Sequence, residues 1–267
     1  IFAEVMINFN QKTVWITGAS SGIGKALAVK FASLGANLVI SSRNEELLKE
    51  LANSCNSNTF ILPLDLEKSS EFPEKVEQVL SKFKTIDLLI NNGGTSQRLE
   101  AFKTGIELDR KIMEINYFGT IALTKAVLPT MQKQKKGHIA TVSSSSGKFG
   151  FFQRSAYSAS KFAQVGFFES LRFEEEKNNI KISLVFPFLV NTNIAENAFS
   201  ENGDRWGKSD PLITNGISPE KCAQDIIDGI IDNKKEIYSG GKGSWILKLK
   251  RFFPELFYKI MRKQFSN

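Results

Sequence analysis

The chain has 267 residues, 42% hydrophobic and 24% charged, which suits a globular protein with a substantial core and excludes a disordered or low-complexity one. Two cysteines, Cys55 and Cys222, and a single histidine, His138, argue against a metal site, a disulfide framework and a His-based triad, and they suit a reducing compartment. Of the net charge of +7, most belongs to the C-terminus, where seven basic residues from Gly240 onward stand against Glu255 alone; nothing here points to nucleic acid.

The opening segment Ile1–Lys12 lacks the long apolar stretch of a secretory signal, and Met6 offers an alternative start. No apolar run is long enough to cross a bilayer, so a cytoplasmic protein is expected. A β-rich run at Thr13–Thr17 leads into TGASSGIG, and Ile23, Leu27, Phe31 and Leu34 then recur at helical spacing, with Gly35 suited to the helix end. Gly18, Gly22 and Gly24 allow a tight turn and a close approach of backbone to an anion at the helix N-terminus. Further strands are predicted at Leu38–Ser41, Thr59–Leu64, Ile86–Asn91, His138–Ser143, Ile182–Phe186 and Glu236–Tyr238. Phe72, Val76, Leu80 and Phe83 mark a helix, a long one runs from about Glu107 to Met131, and another from about Tyr157 to Asn178. The polar stretch Asn191–Gly216 reads as a long functional loop, after which Ser218-Pro219-Glu220 opens a capped helix. Strands alternating with helices predict an α/β protein: a single-domain Rossmann fold over residues 1–267, with a doubly wound parallel sheet of about seven strands, right-handed crossovers and helices on both faces.

Tyr157 and Lys161 stand four residues apart in AYSASK, thirteen residues after Ser144 in TVSSSSG. Residues at this spacing share a helix face, so the ammonium lies beside the phenol. A free tyrosine titrates near ~10; a neighbouring cation favours the phenolate and makes an acid/base catalyst at neutral pH. Ser144 adds a donor where a substrate oxygen develops charge, although Ser143 or Ser145 of the same run can fill that role.

In order and spacing TGASSGIG, NNGG at Asn91–Gly94, Asn116, Ser144 and YSASK match the short-chain dehydrogenase/reductase family, which the chain resembles from about Lys12 to Ile194. The resemblance implies a nicotinamide cofactor, interconversion of an alcohol and a carbonyl, and homodimers or homotetramers formed through the two long helices. It gives catalytic roles to Asn116, Ser144, Tyr157 and Lys161: Tyr157 exchanges the proton, Ser144 holds the carbonyl oxygen, Lys161 assists the phenol and bonds the nicotinamide ribose, and Asn116 keeps a relay water. It places Gly18, Ser20, Ser21, Gly22, Ile23, Gly24, Asp65, Leu66, Asn92, Gly93, Pro187, Val190 and Thr192 around the cofactor with Tyr157 and Lys161, while Asn91 steadies the central strand. Cofactor choice is read in LVISSRNEE. Where NAD-binding enzymes hold an acidic residue this chain has Ser41 and Ser42 followed by Arg43, a fork of donors for a 2′-phosphate, so NADP(H) is expected; alternatively Arg43 decorates a surface turn. Two departures stand out. Gly93 replaces the usual alanine, and Phe188 follows Pro187 where glycine is common, which puts the shape of the nicotinamide pocket in question.

The variable loop 191–217 and Phe149, Phe151 and Phe152 suggest a lipophilic ketone or aldehyde as substrate, unless the aromatics are simply core. The tail 240–267 interleaves Trp245, Phe252, Phe253, Phe257 and Tyr258 with cations, a pattern suited to packing on the protein or to peripheral membrane contact. Together with SPEKCA it resembles the branch containing dehydrogenase/reductase family member seven, which implies steroid- or retinoid-like substrates. The competing functions are a sugar-nucleotide epimerase or dehydratase, disfavoured by the glycine spacing, and a non-catalytic NADP(H)-binding sensor or membrane-associated scaffold.

Overall fold

The computed structural model describes residues 8–201, 203–241 and 246–265, with the backbone alone for Leu247, Lys248, Gln264 and Phe265. Met6, Lys242 and Trp245 lie outside the described residues. Seven strands form one parallel sheet: β1 (Thr13–Thr17), β2 (Asn37–Ser41), β3 (Thr59–Ile61), β4 (Leu88–Asn91), β5 (Gly137–Val142), β6 (Ile180–Pro187) and β7 (Glu236–Ser239), in the order β3-β2-β1-β4-β5-β6-β7. The order reverses between β1 and β4, so the loops leaving their C-terminal ends diverge and open a crevice there.

Alternation along the strands feeds two cores. Val14, Ile16, Leu38, Ile40, Leu88 and Ile90 point to one face, which is covered by α1 (Gly22–Ser33), α2 (Glu45–Ser54) and α8 (Pro219–Ile231). Trp15, Val39, Leu89, Ile139 and Leu184 point to the other, under α3 (Phe72–Phe83), α5 (Gly119–Gln134) and α6 (Ser155–Glu175). The tail contributes to this second core: α9 (Ile246–Phe252) and α10 (Pro254–Phe265) bury Ile246, Phe257 and Met261, and Phe257 meets Phe149 edge-on at 5.0 Å.

Three elements differ from the sequence reading. The third strand stops at Ile61 instead of reaching Leu64, although Leu62 N still donates to Ile40 O at 3.0 Å and Leu64 N to Ser42 O at 3.1 Å; Pro63 between them falls on the open edge of the sheet, where no donor is needed. The helix expected from Glu107 to Met131 is divided into α4 (Ile106–Met113) and α5 by a π-helical segment, Glu114–Phe118. The α2 helix is additional, although Asn44 caps it by accepting from Leu47 N at 3.0 Å. The variable loop holds the short helix α7 (Pro211–Thr214), capped by the Asp210 side chain.

Candidate active site

β1 hands the chain to the glycine turn, and sterics fix two of its residues. A Cβ on Gly24 would lie 2.2 Å from the Gly18 carbonyl oxygen, and one on Gly18 would lie 2.8 Å from Gly93 Cα. Asn92 braces the turn from the end of β4, its amide donating to Thr17 O at 3.0 Å and Gly18 O at 3.2 Å. Thr17 Oγ1 in turn accepts from the backbone of Asn92 at 3.1 Å and Gly93 at 3.0 Å. Ser21 is the N-cap of α1, yet its side chain makes no capping bond and no acidic residue occupies the first turn. The N–H groups and positive end of α1 are thereby left for an anion, with Ser20 and Ile23 beside them. Thr192 reaches this turn from beyond β6, since a Cβ on Gly22 would lie 3.0 Å from Thr192 Cγ2.

The serines at the end of β2 have different tasks. Ser41 is buried and its Oγ accepts from Trp15 Nε1 at 2.9 Å, while the Ser42 hydroxyl is engaged with the Asn44 backbone at 3.2 Å. Arg43 is exposed, and its guanidinium has no hydrogen-bond or ion-pair partner among the described residues. Asp65 closes its own turn by accepting from Glu67 N at 3.1 Å, and the Leu66 carbonyl abuts Gly119, where a Cβ would sit 2.2 Å away. Asn91 donates to Thr124 Oγ1 at 2.9 Å and Thr141 Oγ1 at 3.3 Å, tying β4 to α5 and β5. The cradle and the uncapped helix end fit the phosphates of a dinucleotide.

Tyr157, Lys161 and Ser144 converge on a cleft of about 130 Å³, also lined by Gly94, Pro187, Val190 and Thr192. Tyr157 sits in the first turn of α6, where Gln97 Oε1 accepts its backbone N–H at 3.1 Å. Burial raises the Tyr157 phenol above its ordinary value, and the Ser144 hydroxyl and the Arg154 charge pull against that shift. Lys161 is 4% exposed and donates to Val142 O at 2.9 Å; burial pushes its pKa down to about 7. Ser144 is the member of the serine run that serves the phenol. Ser143 Oγ instead donates to Lys161 O at 3.2 Å and pins α6 to β5.

Asn116 lies inside the π segment and is fully buried. Its side chain clamps Thr95, accepting from Thr95 N at 2.8 Å and donating to Thr95 O at 2.9 Å, and also donates to Ser160 Oγ at 3.0 Å. A π turn frees a carbonyl from the helical ladder. That of Asn116 accepts from Gln164 Nε2 at 2.6 Å. Gly94 separates Asn116 from Lys161: a Cβ there would lie 2.9 Å from Asn116 Oδ1 and 3.7 Å from Lys161 Nζ. The sequence-derived residues thus form two groups, a cradle built on β1, β2 and β4 and a proton-handling set built on β5, α6 and the π segment.

A family model described as short chain dehydrogenase matches residues 12–203. The chain belongs to the short-chain dehydrogenase family. Among the relatives of this oxidoreductase family, the mouse (Mus musculus) dehydrogenase/reductase SDR family member 7B is 41% identical over 93% of this chain and 79% of its own. A dehydrogenase/reductase SDR family protein 7-like from Anopheles gambiae is 39% identical over 96% of this chain and 84% of its own. The resemblance to the member-seven branch read from the tail agrees with both. A short-chain dehydrogenase/reductase from Burkholderia phymatum in complex with NAD superposes with a TM-score of 0.84, covering 94% of this chain and 96% of its own at 23% identity. A second from Burkholderia cenocepacia, in complex with NADP, superposes with a TM-score of 0.78 at 21% identity, covering 96% of this chain and 99% of its own. Neighbours of this fold hold either nucleotide.

Sequence reasoning overlooked four residues at this family site. Arg154 and Asp210 line the cleft, and Gln164 holds the Asn116 carbonyl. Gly240 faces Phe188: its φ is 142°, and a Cβ on it would lie 2.5 Å from Phe188 Cβ. The unusual bulk after Pro187 is therefore matched by a missing side chain on the neighbouring strand end. The only signals in the sequence were the Asp210-Pro211 cap and the position of Arg154 three residues before Tyr157. Of the three aromatics assigned to the substrate, Phe151 lines the cleft, Phe149 is core and Phe152 is 46% exposed.

Proposed function

We propose that the chain reduces a lipophilic ketone or aldehyde to its alcohol with NADP(H), using Tyr157 as the acid/base group. The observation that carries this reading is the convergence of Tyr157, Ser144 and Lys161 on a cleft whose remaining walls include Phe151, Phe188, Leu189, Leu212 and Ile213. When bound, the nicotinamide supplies the hydride that no side chain can provide. Burial keeps the phenol protonated, so Tyr157 holds the proton that the carbonyl oxygen takes up. Ser144 donates a hydrogen bond to the same oxygen as its charge develops. Lys161, with a pKa of about 7, exchanges protons near neutrality and is suited to restoring the one Tyr157 gives up. Gly18, Ser20, Ser21, Gly22, Ile23 and Gly24 would hold the pyrophosphate, Arg43 and Ser42 the 2′-phosphate, Asp65 and Leu66 the adenine side, and Pro187, Val190 and Thr192 the nicotinamide.

Fluorescence titration tests the cofactor assignment: NADPH should bind more tightly than NADH by about 10- to 100-fold, and Arg43→Ala should remove most of that preference. A wild-type preference for NADH would reject the Arg43 assignment. Tyr157→Phe should bind NADPH normally and lose turnover; a variant that keeps full turnover would refute the catalytic role.

The same reading makes 191–217 the substrate loop of one nucleotide-binding unit, in the cytoplasm, where the two buried free cysteines stay reduced. Among the described residues no helix is long and apolar enough to cross a membrane. The tail nevertheless exposes Phe252, Phe253, Leu256 and Tyr258 beside Arg251, Lys259 and Lys263, a face suited to peripheral contact with anionic lipid. Cosedimentation with anionic but not neutral vesicles would support this, and failure to sediment with either would reject it. Phe118 next to α5 and Phe162 and Phe173 on α6 are exposed and suit pairing of two copies through these helices; a monomer by sedimentation velocity would exclude it.

A further inference from the structure

The loop that leaves β4 and the substrate loop meet at a buried charge cluster. Arg154, the residue before α6, is 5% exposed. One of its guanidinium nitrogens donates to Ser96 Oγ at 2.8 Å and another to Asp210 Oδ2 at 3.2 Å. Arg98 reaches the same carboxylate oxygen at 2.8 Å. One buried carboxylate thus answers two guanidiniums and leaves an excess positive charge in the cleft wall. Asp210 has a second task. Its Oδ1 accepts from Leu212 N at 3.1 Å and caps α7, whose Leu212 and Ile213 line the cleft.

The ionisable residues lining the cleft, among those described, are Arg154, Tyr157, Lys161 and Asp210, with Arg98, on the segment after β4, behind Asp210; the rest of the lining is uncharged. Lys161 turns its ammonium to Val142 O and titrates near neutrality, so it is not a constant charge. A guanidinium does not lose its proton. Arg154 is therefore the permanent cation one helical turn from the phenol, and burial of the Tyr157 ring preserves its influence from screening.

We propose that Arg154 is a positioning residue that favours ionisation of Tyr157, and that Asp210 couples this to seating of the substrate loop, because the same carboxylate fixes the guanidinium and the Leu212–Ile213 wall. The proposal rests on the acid/base reading of Tyr157, and it is tested by a measurement that needs no turnover. The protein is labelled with ¹³C-tyrosine, saturated with the oxidised nucleotide it binds, and titrated by NMR; Tyr157→Phe identifies the signal among four tyrosines. In Arg154→Met the Tyr157 ionisation should move about one pH unit higher, and Arg154→Lys should restore most of it. Arg154→Gln, which keeps hydrogen-bonding groups without the charge, gives the same comparison where the methionine variant does not fold. With a lipophilic ketone as the probe, Asp210→Asn should raise KM on the order of tenfold with a smaller change in kcat, and an unchanged KM would overturn the coupling to the loop. A folded Arg154→Met or Arg154→Gln protein whose Tyr157 titrates as in wild type would overturn the proposal, even if Tyr157→Phe abolishes turnover. A shifted titration in a protein that turns over no alcohol or carbonyl would instead leave it standing and reject the proposed reaction.

Discussion

Replacing Lys161 by methionine should make this protein more stable and inactive, with a stability gain that depends on pH in a defined direction. The ammonium is buried without a carboxylate partner, and its pKa falls from the ordinary 10.5 to about 7. Between those values the unfolded chain binds a proton that the folded chain releases, so the lysine's penalty is complete below about pH 7 and is relieved as pH rises towards 10.5. At ~1.36 kcal/mol per pH unit, the penalty removed by methionine is on the order of 5 kcal/mol at pH 6 and about 2 kcal/mol at pH 9. The Val142 carbonyl loses its donor in the variant, which offsets about 1 kcal/mol of the gain at every pH. Urea denaturation of both proteins from pH 6 to 9.5, followed by circular dichroism, measures the difference directly. Parallel stability curves would refute the reasoning, because any effect of packing or lost hydrogen bonding is independent of pH.

Gly240→Ala should destabilise the fold by about 2–4 kcal/mol, since the new Cβ meets Phe188 in a backbone region that L-residues avoid. Thermal unfolding of the single variants and of a Gly240→Ala/Phe188→Gly double variant tests this, and strictly additive effects would show that the contact is not the cause. His138 is buried against Ser183 Oγ at 2.9 Å, and burial lowers its pKa to about 4. The folded state keeps it neutral while the unfolded chain protonates below its ordinary 6.5, so on the order of 3 kcal/mol of stability should be lost between about pH 6.5 and 4. His138→Gln should flatten this part of the acid-denaturation curve; an unchanged acid slope would contradict it.

The parallel sheet was legible because its strands are buried on both faces and read as apolar runs bounded by turn residues, as in TVWITG and LVISS. The glycine turn and YSASK were legible for a different reason: steric and catalytic demands leave few alternatives at those positions. What escaped depends on contacts between distant segments. The π segment at Asn116 has no local signature in KIMEINYFGT, since apolar periodicity continues through it; its freed carbonyl is answered by Gln164, 48 positions away. The α2 helix has ordinary start signals in Asn44, Glu45 and Glu46, but it is a ten-residue helix that buries only Leu48 and Leu51, too few apolar positions to establish a period. Arg154 and Asp210 are unremarkable in sequence, one in an aromatic run and the other in a polar loop. Their meeting requires β4, α6 and the substrate loop to be folded together.

The same dependence explains why the site can hold groups that weaken the fold. A buried lysine, a carboxylate shared by two guanidiniums and a π interruption of a long helix each oppose folding. None lies inside a strand of the sheet: they sit on helices and loops at or beyond the C-terminal strand ends, where the two apolar cores under α1, α2 and α8 and under α3, α5 and α6 are already complete. Local bonds answer part of that cost, at Val142 O, Gln164 and Asp210, and a cooperative fold distributes the remainder over both cores. Relief at Lys161 should therefore raise the stability of the whole protein, while Arg154 and Asp210, which pair directly in the cleft wall, should show coupled effects when changed together.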